Sequence, residues 1–228
     1  MTDFTSNIQH AIAAMSGWEV LAVISGVAYL LLAMRNNILC WYAALVSSTI
    51  YVFLFWDVSL PMESALSVYY VVMAFYGWWQ WRGGAAPAAT DLHSHQPIVR
   101  WSLPRHAVMI SAVLLLSSGS GYLLEKNTAA ALPYLDSFTT WGALLTTWMV
   151  AKRVLENWLY WVVVDSAAIV LYLDRELYLT ALLMAVYVVL VIIGWFQWLP
   201  LYRQQQRQQH EQQPHKAGQS SAVDNALC

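Results

Sequence analysis

Seven apolar runs, each close to the length of one bilayer crossing and each closed by polar residues, limit what this chain can become more than any other feature. They are Trp18–Met34, Ile38–Trp56, Leu60–Trp81, His106–Leu124, Ser137–Ala151, Asn157–Asp174 and Leu177–Trp198. A helix of roughly 20 apolar residues spans the hydrocarbon core of a membrane. Runs of this length predict an all-α polytopic membrane protein with seven transmembrane helices. Arg35-Asn36-Asn37 ends the first run and Asp57 the second, while Pro61 stands in the first turn of the third, where its missing N–H is harmless. The fifth run is the most dilute, carrying Thr139, Thr140, Thr146 and Thr147. With 59% of its 228 residues hydrophobic and only 11% charged, the chain lies outside the soluble globular range.

The connecting segments complete the organisation. Residues 1–17 form an external N-terminal segment, with 4–16 read as a short surface helix. It lacks a basic n-region and a cleavage site, so no removable signal peptide is expected. Residues 18–81 hold three runs, 82–105 a cytoplasmic loop containing Gly, Ala, Pro and His, and 106–124 a single linker run. An external loop, 125–136, leads into three more runs at 137–198. The tail, 199–228, turns polar, and from Arg203 its Gln run is expected to be disordered. Nine of the eleven basic residues fall on the C-terminal side: Arg35, Arg82, Arg100, Arg105, Lys152, Arg153, Arg203, Arg207 and Lys216. Only Lys126 and Arg175 lie on the other side, against eight acidic residues. Cationic loops stay in the cytoplasm, which predicts an external N-terminus and a cytoplasmic C-terminus.

Several function classes are poorly served by this sequence. A net charge of -2 gives no nucleic-acid footprint. Cys40 and Cys228 have neither metal nor disulfide spacing, and His93 and His95 have no further ligand nearby. No phosphate-cradling Gly-rich loop, nucleophile elbow or His-Glu-x-x-His sequence occurs. Neither an enzyme nor a bound cofactor or metal is expected. A receptor or scaffold would be expected to carry larger soluble elements than one loop and a Gln-rich tail.

The chain repeats itself. Displaced by 117 residues, Trp41 falls on Trp158, Asp57 on Asp174, Tyr70 on Tyr187, and Gly77-Trp78-Trp79-Gln80-Trp81 on Gly194-Trp195-Phe196-Gln197-Trp198. Over residues 41–81, 13 of 41 positions are identical, more than aromatic richness alone would give. Each copy holds three runs, an odd number, so the single linker run restores the orientation and makes the copies parallel. In parallel-repeat transporters the substrate lies near the midplane between the copies.

Candidate site residues emerge where the repeat is broken. Asn157, Trp161 and Asp165 are spaced to share one helical face, and their counterparts are Cys40, Ala44 and Ser48. A charge at mid-bilayer depth costs at least roughly 2.5 kcal/mol, so Asp165 is expected to face inward, as a proton site, a counter-charge for a cation or a structural acceptor. In the third run Tyr69, Met73, Tyr76 and Gln80 share a face, and the pocket is placed between these two faces. Gln80 reads as a substrate contact or as helix–helix glue, Asn157 as a contact or a helix cap, and Trp158 as a contact or packing shared with Trp41. Trp78, Trp79 and Trp81 suit an interfacial belt, and Asp57 and Asp174 suit helix ends. No Lys or Arg lies inside a run, so aromatics and one carboxylate suit a flat, cationic ring bearing hydroxyls.

The stretch Lys152-Arg153-Val154-Leu155-Glu156-Asn157-Trp158-Leu159-Tyr160-Trp161, with Asp165 and Leu177-Tyr178-Leu179-Thr180-Ala181, closely resembles the nicotinamide riboside transporter family. The resemblance covers roughly Trp18–Trp198 and is most specific at Glu156-Asn157-Trp158. It implies a three-plus-one-plus-three bundle, similar to the SWEET sugar transporters, in a bacterial inner membrane. It implies facilitated uptake of nicotinamide riboside, trapped by a cytoplasmic phosphorylating kinase, and a homo-oligomer, by family resemblance a homotrimer. Asn157, Trp158, Trp161 and Gln80 are the matching binding positions. Some relatives are thought to carry thiamin, another cationic heteroaromatic. Trp78-Trp79 and the Asp174-Arg175-Glu176 turn depart from the family pattern and bear on the substrate more than on the fold.

Overall fold

The computed structural model describes residues 16–57, 61–82, 97–127, 132–175 and 177–226, with backbone alone from 209 onward. The expected helix at 4–16, save Ser16, and His93, His95 and Cys228 lie outside the described residues. Seven helices follow in order: α1 (Gly17–Met34), α2 (Cys40–Asp57), α3 (Pro61–Arg82), α4 (Leu103–Asn127), α5 (Pro133–Ala151), α6 (Asn157–Asp174) and α7 (Tyr178–Ala226). Local chemistry sets several ends. Ser16 caps α1, its Oγ accepting from the Glu19 N–H at 3.2 Å in a Ser-x-x-Glu box. Pro133 opens α5 at a position that needs no N–H donor.

Four of these elements, Gly17–Met34, Cys40–Asp57, Leu103–Asn127 and Thr180–Gln208 within α7, are long and apolar enough to cross a membrane by composition alone. The other three carry their polarity on an inner face. On α3, Val68, Val72, Phe75 and Trp79 are exposed while Ser64, Ser67, Met73 and Trp81 are buried. On α6, Leu159, Val163 and Val170 face out while Asn157, Trp158, Asp165 and Ala168 face in. An outward apolar stripe with inward polarity is what a helix inside a membrane bundle requires.

The boundaries differ most from the sequence reading at two ends. Helix α5 starts at Pro133, four residues before Ser137, because proline begins a helix as readily as it ends one. Helix α7 does not stop at Trp198 with disorder after Arg203; it runs on to Ala226. Gln and Arg are good helix formers, and the Gln205 side-chain oxygen accepts the Ile98 backbone N–H at 2.9 Å, tying the extension to the segment before α4.

Packing closes six helices into a ring. Helix α1 packs on α2, α2 on α3, α3 on α5, α5 on α6, α6 on α7, and α7 returns to α1. Helix α4, the linker, packs chiefly on α5, and its His106 also meets Tyr160 of α6, Nδ1 to hydroxyl at 2.8 Å. The two seams between repeats, α3 on α5 and α7 on α1, are equivalent under the repeat.

Atomic contacts carry the same two-fold relation. The Trp81 indole N–H donates to the Val150 carbonyl at 3.3 Å, and its counterpart Trp198 donates to Ala33, the counterpart of Val150, at 3.0 Å. Trp41 meets Trp81 edge-on at 5.5 Å, and Trp158 meets Trp198 edge-on at 5.3 Å. Gly77 lets the Trp41 ring lie against α3, and Gly194 does the same for Trp158 on α7. The α1–α2 turn holds Asn36 at φ 56° and the α5–α6 turn holds Arg153 at φ 54°, the same left-handed corner in both copies. Arg153 Nη2 donates to Asn36 Oδ1, joining residues 117 apart in sequence. Trp81 and Trp198 also touch each other, with centroids 6.1 Å apart. Equivalent residues that touch one another lie on the pseudo-two-fold axis. The axis therefore runs between Asn36 and Arg153 and between Trp81 and Trp198.

Candidate functional site: a capped, asymmetric interior

At the end of the ring that carries Arg35, Lys152 and Arg153, the centre is filled. Trp41, Trp81, Trp158 and Trp198 are each no more than 2% exposed and form one cluster with Leu30, Ala33 and Val150. The Arg153 guanidinium is fully buried, lying 4.8 Å from the Trp81 ring centroid. Burial pulls its pKa down to about 10, so it stays cationic at neutral pH. Its Nε and Nη1 have no hydrogen-bond partner among the described residues. Neither do the indole N–H groups of Trp41 and Trp158, again an equivalent pair. This end is a tryptophan plug with a cation clasped on its axis.

Along α6, away from the plug, the interior becomes polar and loses its symmetry. Asn157 is fully buried; its Nδ2 donates to the Val154 carbonyl at 2.6 Å, while Oδ1 finds no partner among the described residues. The amide thus closes the α5–α6 turn through its nitrogen and leaves its oxygen free. Trp161, one turn further on, is half-buried and packs against the plug cluster. Asp165, two turns from Asn157 or about 12 Å along the axis, is 4% exposed. Tyr70 from α3, Tyr172 from its own helix and Tyr187 from α7 stand within electrostatic range of it. Tyr29 of α1 lies close to Tyr70 and Tyr187. Gly26 brings α1 near this group: a Cβ there would sit 3.2 Å from the Tyr187 hydroxyl and 3.3 Å from Ser47 Oγ. The Ser47 hydroxyl donates to the Ala22 carbonyl at 2.8 Å, tying α2 to α1 beside this group.

The sequence-derived constellation is therefore only partly brought together. Asn157, Trp161 and Asp165 share the inward face of α6, and Trp158 is packed into the plug on Gly194. From α3, Tyr69 is turned to the seam, where its hydroxyl donates to the Leu144 carbonyl of α5 at 2.8 Å. Tyr76 lies under the Lys152 ammonium at 5.2 Å, and Gln80 lines a side cleft with Lys152 and Trp148 rather than the space around Asp165. On α3 it is Tyr70, one position from Tyr69, that stands within electrostatic range of Asp165. Sequence reasoning missed Tyr29, Tyr70, Tyr172 and Tyr187 as a group. The Tyr70–Tyr187 match in the repeat was the available signal, since a polar aromatic kept in both copies at mid-helix is a natural axial pair. Among the described residues no group of three or more His, Cys, Asp or Glu is placed to hold a metal.

A ring of two parallel three-helix repeats, closed by a linker helix outside it and lined by polar residues at mid-depth, is the architecture of a parallel-repeat membrane transporter. The chain belongs to the nicotinamide mononucleotide transporter family, which it matches over residues 16–200. It is 19% identical over 205 residues to the nicotinamide riboside transporter PnuC of Escherichia coli (strain K12), an alignment covering 79% of this chain and 82% of that protein. PnuC of Shigella flexneri aligns with the same identity and coverage. Its fold is shared with the crystal structure of the vitamin B3 transporter PnuC, at a TM-score of 0.68 and 19% identity, covering 89% of this chain and 90% of the other.

Proposed function

We propose that this protein moves nicotinamide riboside across a bacterial inner membrane by facilitated diffusion, and that phosphorylation by a cytoplasmic kinase traps the solute. The observation that carries this reading is Asp165, a buried carboxyl within electrostatic range of tyrosines from both repeats, on a helix that itself carries no Lys or Arg. Nicotinamide riboside is a flat cationic ring bearing a neutral sugar, and each part has a complement here. Asp165 supplies the counter-charge, Trp161 a face for the ring, and the Asn157 amide oxygen and the tyrosine hydroxyls supply hydrogen bonds to ribose. The family's description names the mononucleotide, whereas the curated relatives are named for the riboside. A phosphate beside Asp165 would meet like charge, so the riboside is favoured. The N-terminus lies outside and the C-terminus in the cytoplasm, which puts the tryptophan plug on the side where the kinase acts. Copies of the chain assemble into a homotrimer.

Calorimetry on the purified protein tests the substrate. Nicotinamide riboside should bind, with the mononucleotide weaker by tenfold or more, and Asp165→Asn should cost the riboside far more than a neutral analogue of the ring. Tighter binding of the mononucleotide, or of thiamin, would replace the riboside reading.

A further inference from the structure

Outside the ring, a cleft of about 490 Å³ opens between the end of α3, the segment 97–102, the first turns of α4 and the last turn of α5. Its walls are Val99, Trp101, Met109 and Trp148, and its charges are Arg105 and Lys152. Neither cation has an ion pair among the described residues. Each is instead steadied by an aromatic ring: Arg105 lies 5.7 Å from the Trp101 centroid and Lys152 lies 5.2 Å from that of Tyr76. The acidic group nearby, Glu156, is already taken. One of its oxygens meets Arg100 Nε at 2.7 Å and the other faces the Trp101 backbone N–H. The contact with Glu156 raises the Arg100 pKa above its ordinary value, so Arg100 is the cation this carboxyl serves. Among the described residues, no carboxylate pairs with either of the two positive charges over this apolar floor.

We propose that this cleft binds the phosphate headgroup of an anionic phospholipid, with Arg105 and Lys152 on the phosphate and Met109, Val99 and the tryptophans against the glycerol and upper acyl chain. Basic pockets between transmembrane helices at the cationic face of a membrane protein are suited to such headgroups. The walls argue against a soluble nucleotide as occupant. Trp101 and Trp148 pack on each other at 5.5 Å and 54°, which leaves no parallel slot between them for a flat base. The cleft also adjoins the outward surface of α4, where Leu103 and Val108 are 83% and 60% exposed, so an acyl chain continues directly into lipid. Occupancy has a consequence inside the ring. Lys152 precedes Arg153, the axial cation, and Gln80 precedes Trp81, which bonds to Val150 across the α3–α5 seam. A headgroup bridging α4 and α5 therefore holds the turn on which the plug is built. The proposal depends on the membrane location and not on which solute is carried.

The full-length protein is purified and given phosphatidylglycerol or phosphatidylcholine, with binding read by native mass spectrometry and by the midpoint of thermal unfolding. Phosphatidylglycerol should be retained and raise the midpoint, phosphatidylcholine should do neither, and Arg105→Gln with Lys152→Gln should weaken phosphatidylglycerol at least tenfold. Arg105→Gln alone, at an exposed position, should fold normally and lose part of the effect. Arg175→Gln, a cation on the opposite side, should lose none. Equal retention of both lipids, or unchanged phosphatidylglycerol binding in the double variant, overturns the proposal. So does a nucleoside monophosphate that binds the parent, fails to bind the double variant and is not displaced by phosphatidylglycerol, since the cleft would then serve a soluble ligand.

Discussion

Two glycines at equivalent positions let the plug be tested in both halves of one molecule. A Cβ added at Gly77 would lie 2.3 Å from the Trp41 ring, and one at Gly194 would lie 2.6 Å from the Trp158 ring. Ordinary carbon contacts begin near 3.4 Å, so the rings must retreat by about 1.1 and 0.8 Å respectively. Neither can do so freely. Trp41 is 2% and Trp158 1% exposed, and each is backed edge-on by another buried tryptophan. Overpacking of this kind costs about 1–3 kcal/mol, against about 1 kcal/mol gained by replacing glycine with alanine in a helix. Gly119, with nothing within 4 Å of an added Cβ, is the control that shows the gain alone. Thermal unfolding in detergent, followed by near-ultraviolet circular dichroism, should rank Gly119→Ala at or above the parent, then Gly194→Ala, with Gly77→Ala lowest. Only Gly194 lies directly against Trp158, so ligand affinity should fall further in Gly194→Ala than in Gly77→Ala if Trp158 touches the solute. A Gly77→Ala protein as stable as the parent would refute the packing argument and, with it, the symmetric plug.

Further outcomes follow from the same geometry. Asn36→Gly removes a left-handed side chain, a change that ordinarily stabilises by up to about 1 kcal/mol, yet it should lower the unfolding midpoint because it leaves buried Arg153 without its carbonyl partner, at about 1.5–3 kcal/mol for a bond to a charged group. Trp161→Ala should weaken nicotinamide riboside by about tenfold, the worth of about 1–2 kcal/mol of ring contact, while a bulky residue at its counterpart Ala44 should affect packing more than affinity; calorimetry separates the two. A reporter fused after Gln204 should read cytoplasmic and one at the N-terminus external, and the reverse pattern would undo the proposed direction of trapping. In sealed vesicles without a kinase, labelled riboside should stop at equal concentrations inside and out. Uphill accumulation under a proton gradient would instead make Asp165 a coupling site.

Much of the architecture was legible in one dimension because membrane helices answer to simple rules. Length and apolarity marked all seven elements, and for α2 and α6 the starts and ends were within two residues, since polar residues on either side of a bilayer-length run leave little freedom. The repeat was legible for a related reason: Trp41, Gly77 and Trp81 and their counterparts are a ring, the space it needs and the edge it meets, so each copy had to keep all three. The inward face of α6 followed from the spacing of Asn157, Trp161 and Asp165 alone. Which residues stand opposite that face did not. A helical period gives the residues that share a side, but it does not give the rotation at which the helix docks. On α3 that rotation is fixed by Trp81 reaching Val150 and by Tyr69 reaching Leu144, contacts more than 60 residues away in sequence. They turn Tyr69, Tyr76 and Gln80 towards the seam and the side cleft, and leave Tyr70 within electrostatic range of Asp165. The axial clasp of Asn36 and Arg153 was equally invisible. Residues 117 apart meet there only because two copies of one fold close a ring around a common axis.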